Sequence, residues 1–193
     1  MGKIAILLTA GFADWEYAFI AGTGAPFYGL DVQFFGVAAG EVISQGGLTV
    51  SLANNLEDLR LWQPDAVVVV GGTIWASANA PDLSALLPPL YNDGTVIAGI
   101  CGGTLALAHC RLLNAVRHTS NERTFLVDHA PDYQGADYYV ESAGAVTDQR
   151  LITAPGTAPI SFTAAIFASV GLPEEQIEQF CALMAAEHGA AAQ

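Results

Sequence analysis

Basic residues are scarce. Six Lys and Arg stand against 19 Asp and Glu, a formal charge of -13 at pH 7. So acidic a surface repels phosphate backbones and anionic bilayers, which excludes nucleic acid and the membrane surface as expected partners. Cysteine is scarce too. Cys101, Cys110 and Cys181 form neither a CxxC pair nor an even-numbered framework, so a reducing cytoplasm is expected rather than a secreted disulfide scaffold. No metal-ligand spacing appears among them, and no metal or cofactor is implied. No apolar run reaches the ~20 residues of a spanning helix, because the nearly uncharged stretch 95–110 is interrupted by glycines. Repeats, low-complexity blocks and linkers are absent, so residues 1–193 read as one domain.

What is abundant is apolar. Hydrophobic residues make up 52% of the chain and charged ones 13%. That composition forbids disorder and points to a large core with surface left for a subunit interface, so a homodimer is expected. Lys3 and the apolar stretch to Ala13 superficially resemble a secretion leader. A single lysine is no basic n-region, and the pattern fits a buried first strand equally well.

The chain alternates strand-like and helix-like segments. Residues 3–8, 31–38, 66–70, 96–100, 138–141 and 151–153 read as strands, the third through four consecutive valines suited to a pleated surface. Residues 42–44 and 48–52 read as a hairpin around Gln45-Gly46-Gly47. Helices are expected from an Asp14 cap to residue 28, from Asn54 or Asn55 to 61, over 82–92 with a kink at Pro88-Pro89, over 104–113 with Arg111 in its last turn, over 122–129 with Asn121 as a possible cap, and over 157–170 and 173–187. The first has a wide apolar face (Trp15, Phe19, Ile20, Phe27), enough for the sheet on one side and a second subunit on the other. The tail from Gly189 should fray. The alternation implies a doubly wound, mostly parallel sheet with its site beyond the carboxyl ends of the strands.

The chemistry centres on Gly99-Ile100-Cys101-Gly102-Gly103. A strand entering and a helix leaving put Cys101 on a sharp, strained turn, the geometry of a nucleophile elbow with sulfur in place of oxygen. A helix N-terminus favours thiolate, and such cysteines titrate at ~3.5–7.5. A buried packing cysteine fits the same residue type. The turn after the valine strand, Gly71-Gly72, lies at the same end of the sheet, and the N–H groups of Gly72 and Gly102 could form an oxyanion hole. Glu16, in the first turn of its helix, either compensates the dipole or, buried against Cys101, stays protonated and donates to the thiolate. His118 is a candidate base or a turn residue.

Gly99-Ile100-Cys101-Gly102-Gly103-Thr104 together with Gly11-Phe12-Ala13-Asp14-Trp15-Glu16, Val70-Gly71-Gly72, Arg117-His118-Thr119-Ser120-Asn121 and Ala154-Pro155-Gly156-Thr157 resembles the ThiJ/PfpI family. That family shares the class I glutamine amidotransferase-like, flavodoxin-like three-layer sandwich and includes the parkinsonism-associated deglycase. The resemblance implies Cys101 as nucleophile, Glu16 as its protonated partner, Gly72 and Gly102 as oxyanion donors, His118 near the thiol, and Pro155-Gly156 lining the pocket. The protease-like branch has a histidine immediately after the nucleophile, where this chain has Gly102. The function implied is a cysteine-dependent enzyme acting on a small electrophilic carbonyl or amide compound, glyoxalase-like, deglycase-like or amidohydrolase-like. Its alternatives are a redox-responsive stress protein whose cysteine is oxidised, and a peptidase-like or amidotransferase-like hydrolase.

Overall fold

A computed structural model describes residues 2–189, with side chains to residue 186. The strands are β1 (Lys3–Leu8), β2 (Asp31–Gly36), β3 (Gly40–Ile43), β4 (Thr49–Leu52), β5 (Ala66–Val69), β6 (Val96–Ile100), β7 (Val146–Asp148) and β8 (Leu151–Ala154). The helices are α1 (Ala18–Tyr28), α2 (Leu56–Trp62), α3 (Leu87–Asn92), α4 (Gly103–His109), α5 (Arg123–His129), α6 (Pro159–Ser169) and α7 (Glu174–Gly189). Six strands form one sheet in the order β2-β1-β5-β6-β8-β7, and β3 and β4 pair separately as an antiparallel hairpin. All sheet pairings are parallel except β7 with β8.

Strand alternation sorts the core into two faces. From β1, β5 and β6, the side chains of Ile4, Ile6, Val68, Ala98 and Ile100, joined by Val70 just past β5, enter one apolar layer with Ile20 of α1, Phe162 of α6 and Phe180 of α7. Ala5, Leu7, Val67, Val69 and Ile97 enter the other, against Leu59 of α2, Leu90 of α3, Leu107 of α4 and Leu126 of α5. Each of Val67, Val68, Val69 and Val70 is completely buried, and burying such a side chain contributes roughly 1.5–3 kcal/mol. A sheet covered on both faces needs strands that are apolar throughout, which β1, β5 and β6 are. Among the described residues no helix is long and apolar enough to cross a membrane.

Several expected boundaries move. The helix expected from Asp14 begins at Ala18 without a side-chain cap, because the Asp14 carboxylate accepts the Gly46 N–H at 2.8 Å instead. The expected 82–92 helix starts at Leu87, and Pro88 and Pro89 occupy its first turn, where their missing N–H groups cost nothing. Helix α4 stops at His109, and Arg111 lies past it in the left-handed region (φ 59°) rather than in a last helical turn. Residues 138–141 are not a sheet strand. Tyr138 ends a 3-10 turn, Ala136–Tyr138, and Tyr139 touches residue 118 through one isolated bridge. The sixth strand is β7, a three-residue edge with too little alternation to announce itself. Helix α2 does begin on Asn55, whose side chain accepts from the Glu57 and Asp58 N–H groups in a capping box. The fraying expected beyond Gly189 lies outside the described residues.

Candidate active site

Strand β6 ends in the layer between the helices, and α4 starts three residues after Ile100. The chain bridges this gap by putting Cys101 at φ 55°, a left-handed conformation that costs a non-glycine residue roughly 1–2 kcal/mol. Its N–H is tied to the β8 terminus (Ala154 O, 2.9 Å). Its carbonyl accepts from the Thr104 hydroxyl at 2.6 Å, and Ser120, 2.7 Å from Thr104 Oγ1, donates to that oxygen in turn. The strained turn is therefore braced from both ends, and the sulfur projects half-buried beyond the sheet.

Glu16 comes from the loop between β1 and α1 and has no solvent exposure. Its Oε2 accepts the Gly71 N–H at 2.7 Å, while Oε1 has no conventional hydrogen-bond partner. Oε1 and the sulfur flank one point above Gly156, where a Cβ would lie 3.0 Å from Cys101 Sγ and 3.1 Å from Glu16 Oε1. A Cβ at Gly71 would likewise fall 2.8 Å from Cys101 Cβ. These two glycines let the backbone close over the thiol and the carboxyl together.

Burial pushes the Glu16 carboxyl up to about 7, against the smaller opposing effects of contacts with Cys101 and the Gly71 N–H. Burial also raises Cys101, and negative charge on Glu16 raises it further, while Asn121 and the Gly102 N–H work the other way. The depressed thiol expected from the helix terminus is thus not a property of Cys101 alone. Two acidic groups this close take up their charges in sequence, as a pair.

Asn121 completes the arrangement, and its role was not evident from sequence. Its Nδ2 donates to Cys101 Sγ at 3.2 Å and its Oδ1 accepts the Gly156 N–H at 2.9 Å. It caps no helix: α5 begins after Glu122 without any side-chain cap. Gly156 in turn accepts from Trp15 Nε1 through its carbonyl at 2.9 Å. Gly72 and Gly102 face each other, since a Cβ on Gly102 would lie 3.2 Å from Gly72 N. Neither N–H has a protein acceptor among the backbone bonds of the described residues. Both border a cleft of about 300 Å³ above the sulfur, with Asn121 and Phe125 across it.

The matching family model is that of the DJ-1/PfpI family, and it spans residues 2–169 of the chain. The chain belongs to the DJ-1/PfpI family. Two curated relatives from Bacillus subtilis (strain 168) bear the names uncharacterized protease YoaZ and uncharacterized protease YdeA. YoaZ is 31% identical over 167 residues, 83% of this chain and 79% of the relative. YdeA is 31% identical over 163 residues, 84% of this chain and 80% of the relative. Among solved structures, the DJ-1 superfamily protein Atu0886 from Agrobacterium tumefaciens superimposes with a TM-score of 0.91 at 34% identity, covering 97% of this chain and all of that one (100%).

Within this DJ-1/PfpI fold the remaining expected site residues separate. Pro155 is buried at the end of β8 and serves to deliver Gly156. His118 is fully buried, with Nδ1 2.8 Å from Val116 O and Nε2 2.6 Å from Tyr133 OH. A carbonyl only accepts, so Nδ1 carries the proton and Nε2 accepts from the tyrosine. Burial keeps this ring below the ordinary histidine range. Both nitrogens are occupied away from the sulfur, so the expected place of His118 beside the thiol is corrected. What it does is hold the loop, with the Thr119 N–H donating to Thr153 Oγ1 at 2.8 Å, that presents Asn121.

Proposed function

We propose that the chain is a cysteine-dependent enzyme acting on a small electrophilic carbonyl compound, in glyoxalase-like or deglycase-like fashion, with amide hydrolysis a related possibility of the same site. One observation supports this reading above the others: the sulfur of the Cys101–Glu16 pair has a donor of its own. The sulfur receives Asn121 Nδ2–H at 3.2 Å, and the carboxyl receives Gly71 N–H on Oε2, which leaves Oε1 to face the sulfur. Donors stabilise the charged partner. Asn121 therefore supports the thiolate form, and the proton that burial holds on Glu16 up to about 7 faces it.

In the reaction, the thiolate forms an S–C bond to the carbonyl carbon and the C=O π pair moves to oxygen. The N–H groups of Gly72 and Gly102 hold that oxyanion, and the Glu16 proton neutralises it. Peptide hydrolysis fits less well. A departing amine needs a proton donor, the residue after the nucleophile is Gly102, and His118 points elsewhere. The protease names belong to the relatives.

The same thiolate would serve the redox alternative, oxidation to sulfenic or sulfinic acid. Methylglyoxal consumption separates the two. The enzyme reading expects loss of turnover in Cys101→Ser and retention in Cys110→Ser and Cys181→Ser. Turnover that survives Cys101→Ser would overturn it, and peroxide oxidation without any turnover would favour the sensor. A homodimer in a reducing cytoplasm belongs to this proposal, supported by the apolar composition and the three free thiols; sedimentation velocity tests the dimer.

A further inference from the structure

The cleft above Cys101 has no charged side chain in its walls. Beside the sulfur it is formed by Gln45, Thr73, Ala76, Asn121 and Phe125, and none of the six Lys and Arg lines it. Negative groups stand close behind. The Cys101–Glu16 pair carries one charge as thiolate, and the Asp14 carboxylate, held below its usual range chiefly by the Ser44 hydroxyl, lies under the turn that carries Gln45.

Gln45 is built into this wall. Its N–H donates to Phe12 O at 2.9 Å, and the neighbouring Gly46 N–H is fixed by Asp14. The hairpin tip is thereby fastened to the loop that supplies Glu16. The Gln45 side chain itself is exposed and has no hydrogen-bond partner among the described residues. An amide offers one acceptor and two donors without charge, so it can read a polar substituent while leaving an anion uncompensated.

We infer that Gln45 is a specificity-determining residue and that the site selects neutral electrophiles with a hydrogen-bonding group beside the reacting carbon, rejecting carboxylates and phosphorylated carbonyls. This rests on the reading of Cys101 as nucleophile. A carboxylate entering the cleft meets the negative charge of the pair within a few ångströms and finds no cation. Repulsion at that range slows it by at least about tenfold.

Two alkylating agents test this without knowledge of the substrate. Iodoacetamide is neutral and iodoacetate anionic, and with either the sulfur forms an S–C bond and expels iodide. Their rates at Cys101 are compared by mass spectrometry in 0.5 M salt, which screens the long-range field of the acidic surface. The reference is the same cysteine in the urea-unfolded chain. The folded protein should prefer iodoacetamide by at least about tenfold beyond that reference. Gln45→Arg, checked for folding by circular dichroism, should bring the ratio back toward the reference by speeding iodoacetate, whereas Gln45→Leu should slow iodoacetamide without speeding iodoacetate. A folded ratio equal to the reference, or a folded Gln45→Arg that changes nothing, overturns the inference alone. Absence of Cys101 labelling by either reagent up to pH 10 overturns the nucleophile reading and the inference with it.

Discussion

Replacing Glu16 by Gln should stabilise the protein, and more so the higher the pH. The glutamate has no exposure and one good hydrogen bond, and its carboxyl titrates at about 7 rather than 4.5. A group raised in the folded state holds its proton more tightly there. Its stabilising contribution is complete below the unfolded value and is lost as pH rises through 7. Relative to a neutral isostere, the wild type then bears a cost of about 1.4 kcal/mol at pH 5.5 and about 3.4 kcal/mol at pH 8.5. The amide keeps an acceptor for the Gly71 N–H, so the substitution removes charge with little loss of packing. The stability gap between Glu16→Gln and wild type should therefore widen by about 2 kcal/mol across that range. For a domain of this size the widening amounts to about 4–8 °C in Tm. Urea unfolding and thermal melts at pH 5.5, 7 and 8.5 measure it. A gap that stays flat, or narrows as pH rises, would refute the claim that burial holds the proton on this pair.

Asn121→Ala should act on both stability and reactivity. It strands the Gly156 N–H, a loss of about 1–3 kcal/mol by urea unfolding, and removes a donor from the sulfur, so alkylation of Cys101 at pH 7 should slow; unchanged kinetics would show that Asn121 does not stabilise the thiolate. His118→Phe should cost about 2–3 kcal/mol, since Val116 O and Tyr133 OH lose their buried partner, yet leave the pH midpoint of Cys101 alkylation where it was. A shifted midpoint would restore His118 to the site.

The sheet was legible because burial on both faces demands uninterrupted apolar runs, and residues 66–70 and 96–100 have no other plausible use. The elbow was legible for a related reason: a strand that ends in Gly-Ile-Cys-Gly-Gly leaves few conformations except a tight turn. Edge strand β7 was not, because three residues with one half-buried valine look like any loop. The run Tyr138-Tyr139-Val140 looked more strand-like, and its Tyr139 packs edge-on against His118 instead.

Asn121 shows a different limit. An asparagine between a loop and a helix has the local signature of a cap, and only its pairing with Gly156, 35 residues away, reveals what it does. Gln45 was read as a turn residue because the turn is all that sequence shows there; its place over the thiol depends on how Asp14 pins the hairpin to the first loop. Glu16 and Cys101 are 85 positions apart, and the family resemblance rather than spacing joined them. The thiol's own titration was misjudged because burial and the neighbouring carboxyl outweigh a helix as short as α4.

The most direct test of the account is the rate of iodoacetamide alkylation at Cys101 from pH 5 to 10, resolved from Cys110 and Cys181 by mass spectrometry. If Asn121 and the protonated Glu16 support the thiolate, the rate is already substantial below the ~8.5 of a free thiol. A rate that stays low through pH 8 and rises only above that value would contradict the assignment of Cys101 as a thiolate nucleophile.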